Sequence, residues 1–184
     1  VIKTFYGGFA TKSYAMLQQY DFFSVLFPRV QRVIMHKEPG YRCAAELVER
    51  ACYQTDKRYA RGDTLSNAYL FVVLLWPLVQ STLYKMPKNQ KNYMENVRAA
   101  IHEVLSQHEC PIAIPRIILD VCEQIWLLQF QFTLREADKI GAIIAHPKFR
   151  MAYDFLLLRA QVEEGITSLA TWWFNYQHAD TESR

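Results

Sequence analysis

Residues 145–163 read AHPKFRMAYDFLLLRAQVE, and this stretch indicates the architecture more clearly than any other. Pro147 suits the first position of a helix, because proline lacks the N–H group that a helix start leaves unpaired. From residue 149 to residue 162 the side chains are apolar on nearly every face of such a helix. The polar exceptions are Arg150, Asp154, Arg159 and Gln161. A helix with so little polar surface belongs in a protein interior.

The start of this predicted helix is basic. Lys148 and Arg150 lie in its first turn, and His146 comes just before them. Cations at this end oppose the helix dipole at a cost of about 0.3–1 kcal/mol each when exposed. A bound phosphate would reverse the penalty, because free backbone amides and basic side chains would then face the same anion. Arg116, which follows Pro115, repeats the arrangement at a second predicted helix start.

Hydrophobic residues recur at helical spacing through the rest of the chain, and no stretch alternates with the period of two that is typical of a strand. Further helices are predicted at residues 10–20, 42–60, 93–107, 115–132, 139–145 and 166–177, with another around the apolar run 68–79. The polar segment 86–92, MPKNQKN, is the best linker candidate, and it separates a region 1–88 from a region 89–184. We therefore predict an all-α fold, a multi-helix bundle that forms one body or two small helical subdomains.

Several helix starts carry side chains that suit a cap. Asp21 precedes the short apolar run 22–27, and either Asp63 or Ser66 precedes the long apolar run. Residues 133–136 read TLRE, which matches the capping-box pattern in which the first and fourth side chains satisfy each other's backbone amides. We expect caps at these three places.

The composition narrows the class of protein and its compartment. The 184 residues carry 21 basic and 18 acidic side chains, and the resulting net charge of +3 is too mild to indicate nucleic-acid binding alone. The four cysteines show no CxxC spacing and the chain has no basic-then-apolar leader, so we expect reduced thiols in the cytoplasm. The apolar run 68–79 contains Pro77 and is shorter than the roughly 18 residues of a membrane span, so we predict a kinked core helix and no span.

A second group of cations lies on the predicted helix 42–60. Arg50, Lys57 and Arg61 are spaced i, i+7 and i+11, so they share one outward stripe. This stripe suits a phosphate backbone, and it equally suits an ordinary solvated helix face on which Glu46 pairs with Arg50. The spacing leaves both interpretations open.

Arg150 and Arg159 also have two interpretations each. Either arginine could contact phosphate, or it could pair within its own helix, Arg150 with Asp154 and Arg159 with Glu163. The two arginines are nine residues apart and lie on opposite helix faces, so they are not expected to contact the same phosphate.

Four segments, in this order, resemble one protein family. They are residues 16–30 (MLQQYDFFSVLFPRV), 67–79 (NAYLFVVLLWPLV), 114–129 (IPRIILDVCEQIWLLQ) and 146–163 (HPKFRMAYDFLLLRAQVE). They look like the helical C-terminal portion of bacterial poly(A) polymerases, which are relatives of the CCA-adding tRNA nucleotidyltransferases. The resemblance implies an RNA-binding piece of an enzyme that adds adenosines from ATP to RNA 3′ ends with Mg²⁺. Because Val1 stands where an initiator Met would, we expect the chain to begin inside that larger protein.

The resemblance turns the basic residues into candidates for RNA binding. The candidate set is Arg50, Lys57, Arg61, Arg116, Lys139, Lys148, Arg150 and Arg159. The expected partner is single-stranded RNA near its 3′ end, held through backbone phosphates, so binding should depend little on sequence and should weaken steeply with salt. ATP and Mg²⁺ would serve the parent enzyme, and no cofactor is expected in this fragment.

No residues in the chain predict catalysis. Nucleotidyl transfer needs closely spaced carboxylates that hold two metal ions. The nearest pair, Glu136 and Asp138, follows no glycine-rich loop, and the Gly-Ser and Asp-x-Asp segments of the family's catalytic head are absent. A structural zinc site needs four ligands, whereas His108, Cys110 and Cys122 supply three at irregular spacing. We predict no catalytic residue and no metal ligand, and we expect this chain to be inactive alone.

Two alternatives stay open. CCA-adding relatives share the broad architecture, so the parent enzyme adds either poly(A) or CCA. The alternative to RNA binding is that the chain is a helical scaffold that docks a protein. This interpretation rests on the shared helix face of Leu169, Trp172, Trp173 and Tyr176. An apolar patch around the tryptophans would favour docking. A continuous positive groove between the helices that start at Pro115 and Pro147 would favour RNA.

Overall fold

The structure describes residues 5–37, 40–63, 66–87, 93–107 and 111–182, without side chains at 137 and 179–182, and in this part of the chain helices joined by turns are the only regular secondary structure. In this computed structural model the helices of those ranges are α1 (Ala10–Gln19), α2 (Phe22–Leu26), α3 (Pro28–His36), α4 (Ala44–Ala60), α5 (Asn67–Lys85), α6 (Tyr93–Ser106), α7 (Arg116–Gln131), α8 (Ala137–Ile144), α9 (Phe149–Arg159) and α10 (Thr167–Glu182). The predicted all-α class is confirmed.

Helix α5 is the central element of the bundle. It packs against α3, α4, α6 and α7, and most of its length is buried. The indole N–H of Trp126 on α7 donates to the carbonyl of Val72 at 3.1 Å, and this hydrogen bond joins α7 to α5. Pro77 lies inside the helix, and the predicted kink there stays a prediction.

Helix α5 is as long as a membrane span, whereas the apolar run 68–79 within it is shorter. The helix runs for 19 residues, well past the apolar run, and by length and composition alone it is long enough to cross a membrane. Its surroundings explain the apolar composition, because 67% of its most apolar window is buried inside the bundle. We therefore describe α5 as a core helix.

The caps differ from the sequence expectation at two of three places. Asp21 precedes α2 in a left-handed conformation with φ of 57°, and its side chain makes no capping hydrogen bond. Glu136 precedes α8 but pairs with Lys139 instead of capping, and the Thr133 hydroxyl donates to the carbonyl of Phe130. The capping box is therefore wrong. Ser66 does cap α5, because its hydroxyl accepts from the amide of Ala68 at 3.3 Å.

One cap is made across the fold and has no local signature. The carboxylate of Asp56, on α4, accepts from the amides of Ala10 and Thr11 at 2.6 and 3.0 Å. It therefore satisfies donors at the start of α1 and joins two helices that are more than 40 residues apart in sequence.

The start of α9 lies two residues later than predicted. Pro147 belongs to the preceding turn, and Lys148 is the capping residue. The ring Nδ1 of His146 accepts from the amide of Lys148 at 3.1 Å, and the His146 carbonyl accepts from the amide of Phe149 at 2.8 Å. His146 thus engages two of the amides that the sequence analysis assigned to a bound phosphate.

Buried side chains from both halves of the chain join one hydrophobic core. Trp76 on α5 contacts Phe130 on α7 and Phe155 on α9, with ring centroids 5.7 and 5.5 Å apart. The division into regions 1–88 and 89–184 stays a prediction, and residues 88–92 of the expected linker lie outside the described residues, as do His108 and Cys110.

A buried charge lies at the end of α9. Arg159 is only 6% exposed, and its guanidinium donates to both carboxylate oxygens of Glu163, at 2.7 and 2.6 Å. A third donation reaches the side-chain oxygen of Gln129 at 3.1 Å, and the guanidinium lies 4.5 Å from the ring centroid of Trp76. The hydroxyl of Tyr41 donates to Glu163 from the segment before α4. The pairing of Arg159 with Glu163 that the sequence offered as an alternative is confirmed.

We expect Glu163→Ala to lower the free energy of unfolding by about 3 kcal/mol or more, because it leaves the Arg159 charge buried without a carboxylate. The adjacent Glu164 is exposed and provides the matched control, since Glu164→Ala should change stability by no more than about 0.5 kcal/mol. Urea denaturation followed by circular dichroism measures both. Equal stability of the two variants would contradict this role for the buried pair.

Candidate nucleic-acid interface

The eight predicted RNA-binding residues lie in five separate places. Lys148 and Arg150 line a pocket at the start of α9, and the stripe of Arg50, Lys57 and Arg61 lies on the exposed side of α4. Arg116 is the first residue of α7, and Lys139 lies on α8. Arg159 is buried. The pocket combines residues from several helices.

The pocket has a cavity volume of about 260 Å³ and opens between α4, the start of α5 and the start of α9. Tyr6 closes it from the segment that precedes α1, and its hydroxyl donates to the carbonyl of Ser66 at 2.9 Å. Arg58 enters from α4, and its guanidinium lies 5.7 Å from the ring centroid of Tyr69 on α5. The end of α4 and the two helix starts therefore form its walls.

One carboxylate serves two arginines in this pocket. Asp154, on α9, pairs with Arg58 at 3.0 Å and with Arg150 at 3.6 Å. The Asp154 side chain is 15% exposed and that of Arg150 is 82% exposed, so the first pair is half-buried and the second lies at the surface. The intrahelical pair that the sequence offered as an alternative for Arg150 is present, but Asp154 is shared.

The pocket carries an excess of positive charge. Its lining includes three cations, Arg58, Lys148 and Arg150, and one anion, Asp154. Among the residues that the structure describes, no carboxylate pairs with the ammonium of Lys148. Because His146 already engages two amides of this helix start, the basic side chains supply most of the attraction for an anion.

Arg58 is the member of this group that sequence reasoning did not select. On α4 it lies about 100° around the helix axis from Lys57 and outside the predicted stripe. The position of the Arg58 side chain depends on its hydrogen bond to Asp154, which is 96 residues away in the sequence. No local sequence pattern indicates such a pair. The sequence shows only that Arg58 is basic.

The stripe on α4 runs beside the pocket. Arg61 lies three residues after Arg58, which places it about 60° around the helix axis. Each member has a local partner: Arg50 pairs with Glu46 at 3.5 Å, the Lys57 ammonium lies 4.7 Å from the ring centroid of Tyr53, and Arg61 pairs with Asp63 at 3.1 Å. All three cations are exposed, so these pairs are weak and leave the cations accessible to a polyanion.

Arg116 lies far from the pocket. It pairs with Asp120 at 2.9 Å at the start of α7, whereas the residue that ends this helix, Phe132, contacts Phe149 at the start of α9 with ring centroids 6.0 Å apart. A helix of 16 residues is about 24 Å long. The starts of α7 and α9 therefore do not meet, and the groove considered between them stays a prediction.

Lys139 also stands apart from the pocket. Its side chain is 42% exposed and pairs with Glu136, and this hydrogen bond raises the pKa of the Lys139 ammonium. Ile140 and Ile143, about 100° and 40° around the helix axis from Lys139, are buried. Lys139 is therefore a surface cation that remains accessible.

We expect Arg58→Met to lower the free energy of unfolding by about 1–2 kcal/mol, because it keeps most of the side-chain stem but removes the half-buried hydrogen bond to Asp154. Arg61→Met is the matched control: its side chain is 67% exposed, so the expected change is within about 0.5 kcal/mol. Thermal or urea unfolding measures the difference, and identical losses would argue against a tie between α4 and α9.

Comparison with known proteins identifies similar chains. The family model described as "Polymerase A arginine-rich C-terminus" matches residues 89–184. The Poly(A) polymerase I of Haemophilus influenzae is 32% identical over 185 residues, which cover 100% of this chain and 40% of that protein. The Poly(A) polymerase I of Escherichia coli O6:H1 is 29% identical over 179 residues, or 96% of this chain and 38% of that protein. The chain thus spans about two-fifths of the length of these relatives.

Proposed function

Because this chain belongs to the polymerase A arginine-rich C-terminus family, we propose that it is the RNA-binding portion of a polymerase that adds adenosines to RNA 3′ ends. The observation that carries the proposal is the convergence of Arg58, Lys148 and Arg150 on one pocket. The names of the relatives, all Poly(A) polymerase I, favour poly(A) over CCA as the product.

In this proposal the RNA backbone crosses the start of α9 and continues along α4. Arg150 offers forked donors that match phosphate oxygens, and Lys148 supplies a compact charge beside it. Arg50, Lys57 and Arg61 extend the contacts along the neighbouring helix face. Every one of these groups meets backbone phosphate, so binding depends little on base sequence and strongly on salt.

Three predicted residues have different roles. Arg116 and Lys139 are accessible but distant from the pocket, and we retain them as separate, weaker phosphate contacts. We leave Arg159 out of the RNA path, because its guanidinium is buried and already donates to Glu163 and Gln129. Moving the Arg159 guanidinium to the surface would also leave the Glu163 carboxylate without its cationic partner.

The chemistry of adenosine addition is assigned to the remainder of the longer protein. Within the described ranges no group of three or more His, Cys, Asp or Glu side chains is arranged to hold a metal ion. We propose that ATP and Mg²⁺ bind outside this chain, which positions the RNA strand. We also expect the protein to act in the cytoplasm, in keeping with the free thiols of Cys43, Cys52 and Cys122.

Protein docking is the second candidate, and the aromatic residues of α10 favour it. Trp173 is fully buried and donates to the carbonyl of Phe132 at 3.0 Å, whereas Phe174 is 48% exposed. Trp172 is partly buried, lies under the guanidinium of Arg135 at 5.3 Å and stacks on Tyr176. The aromatic residues of α10 are thus divided between the core and the surface. If the chain does not bind RNA, protein docking is the remaining candidate function.

The first test replaces the two cations at the mouth of the pocket. We expect Lys148→Ala with Arg150→Ala to weaken binding of a fluorescent 20-nucleotide oligo(A) at least about tenfold. The slope of log affinity against log salt concentration should become shallower by about 1.4, since each single-strand phosphate contact contributes about 0.7. Fluorescence anisotropy across a salt series measures both quantities.

The control for this test is Lys12→Ala with Arg98→Ala, which removes the same charge from exposed positions on α1 and α6. It should reduce affinity only slightly and leave the slope nearly unchanged. If the pocket variant retains wild-type affinity and slope, the RNA path is not at the start of α9.

The opposite change gives an independent test of the same surface. We expect Asp154→Asn to tighten oligo(A) binding and to steepen the salt slope by up to about 0.7, because it frees Arg58 and Arg150 from their shared carboxylate. The assay is the same anisotropy titration, with circular dichroism to verify that the variant is folded. Weaker binding by a folded variant would contradict a phosphate role for these arginines.

A further inference from the structure

We propose that the pocket between α4, α5 and α9 holds one adenosine nucleotide, with the base inside and the phosphate at Lys148 and Arg150. This inference rests on the proposed RNA binding and deepens it. A path made only of phosphate contacts would need an exposed basic surface, whereas this site also has depth, aromatic walls and an unengaged amide.

The size of the pocket suits a small planar group. Its cavity volume of about 260 Å³ lies just below the range of about 300–1,000 Å³ that is typical of small-molecule pockets. The site is therefore large enough for a nucleobase and too small for an extended ligand to enter fully. The sugar and phosphate of a nucleotide would remain at the mouth.

Tyr6 provides the stacking surface. Arg58 already lies over the ring of Tyr69, so that face is taken. The hydroxyl of Tyr6 is held by the carbonyl of Ser66, and burial raises the pKa of the Tyr6 phenol to about 12, so the group stays a neutral donor. A ring anchored in this way keeps its orientation, and bases that leave their own stack commonly pack on such aromatic side chains.

Gln54 provides the base-reading group. It lines the pocket from α4, and among the described residues no hydrogen bond engages its side-chain amide. An amide presents one acceptor and one donor edge, which match the N6 amino group and the N7 acceptor of adenine. Guanine offers two acceptors at the same edge, so it would leave the Gln54 oxygen without a donor.

The charges at the mouth fit the phosphate of that nucleotide. Lys148 and Arg150 lie within two residues of each other at the start of α9, and the Arg150 side chain is 82% exposed. A base between Tyr6 and Gln54 would leave its phosphate on this basic side of the opening. One pocket would then bind both ends of a nucleotide, and the base contacts would add affinity that salt does not screen.

The test compares oligo(A) and oligo(U) of 15 nucleotides, which carry equal charge, in anisotropy titrations at several salt concentrations. We expect Gln54→Leu and Tyr6→Leu each to weaken oligo(A) binding about fivefold or more, with a smaller effect on oligo(U) and an unchanged salt slope. Tyr6→Phe keeps the ring and removes only the hydroxyl anchor, so it should weaken oligo(A) binding less than Tyr6→Leu does, which separates stacking from a general loss of structure. Gln161→Leu, the same substitution at an exposed position just beyond α9, is the matched control.

AMP supplies the second arm of the experiment. In an NMR titration of the whole chain, AMP should shift the backbone amides of residues 54, 58 and 148–151, and Gln54→Leu should abolish these shifts. If AMP binding needs Gln54 but oligo(A) binding does not, the pocket takes a free nucleotide, and its place in the strand is overturned. If Gln54→Leu and Tyr6→Leu both bind oligo(A) with wild-type affinity, and AMP causes no shifts, the proposal that the pocket binds a nucleotide is wrong.

The failure of this inference is distinguishable from failure of the proposed function. Lys148→Ala with Arg150→Ala could weaken RNA binding and flatten the salt slope while the Gln54 and Tyr6 variants behave as wild type. That result would support the proposed RNA binding and contradict the nucleotide pocket. If neither group of variants changes RNA affinity, both proposals fail.

Discussion

The buried guanidinium of Arg159 is the interaction on which the position of α9 depends. A buried charge is tolerated only when its donors are satisfied, and here Glu163 and Gln129 accept from it while Trp76 covers its face. These partners come from α7, from α5 and from the turn after α9. We infer that the cluster fixes how α9 is rotated against its neighbours. With one end of the helix held in this way, Asp154 in the middle of the helix faces α4.

That placement gives physical meaning to the basic start of α9. Lys148 and Arg150 oppose the helix dipole, and an isolated helix would be more stable without them. The fold relieves part of the cost through the His146 cap and through Asp154, which also serves Arg58. The remaining positive charge stays next to a cavity with aromatic walls. Local instability that the surrounding structure maintains is common at binding sites, and it agrees with a phosphate at this position.

The sequence predicts the helices well because their information is local. The helices Ala10–Gln19 and Tyr93–Ser106 end within one residue of the predicted bounds, since hydrophobic spacing and chain breakers define them. Capping is harder to predict, because a suitable residue must also adopt the right backbone angles, and Asp21 does not. Tertiary pairs cannot be predicted from local sequence, because nothing in the sequence around Asp56 indicates that it caps α1. For the same reason spacing alone could not tell that Arg159 is buried while Arg150 is exposed.

The distribution of charge explains how a chain with a net charge of only +3 can present a strongly basic site. Screening limits the reach of a surface charge to about 8–10 Å at physiological salt. Cations cooperate on a polyanion only when they lie within that distance, and Arg58, Lys148 and Arg150 satisfy this by lining one pocket. Arg116 lies about 20 Å away at the far end of α7. In the proposed function any phosphate contact there adds to affinity as an independent site, so the order of the helices, more than the number of arginines, determines where the proposed RNA strand binds.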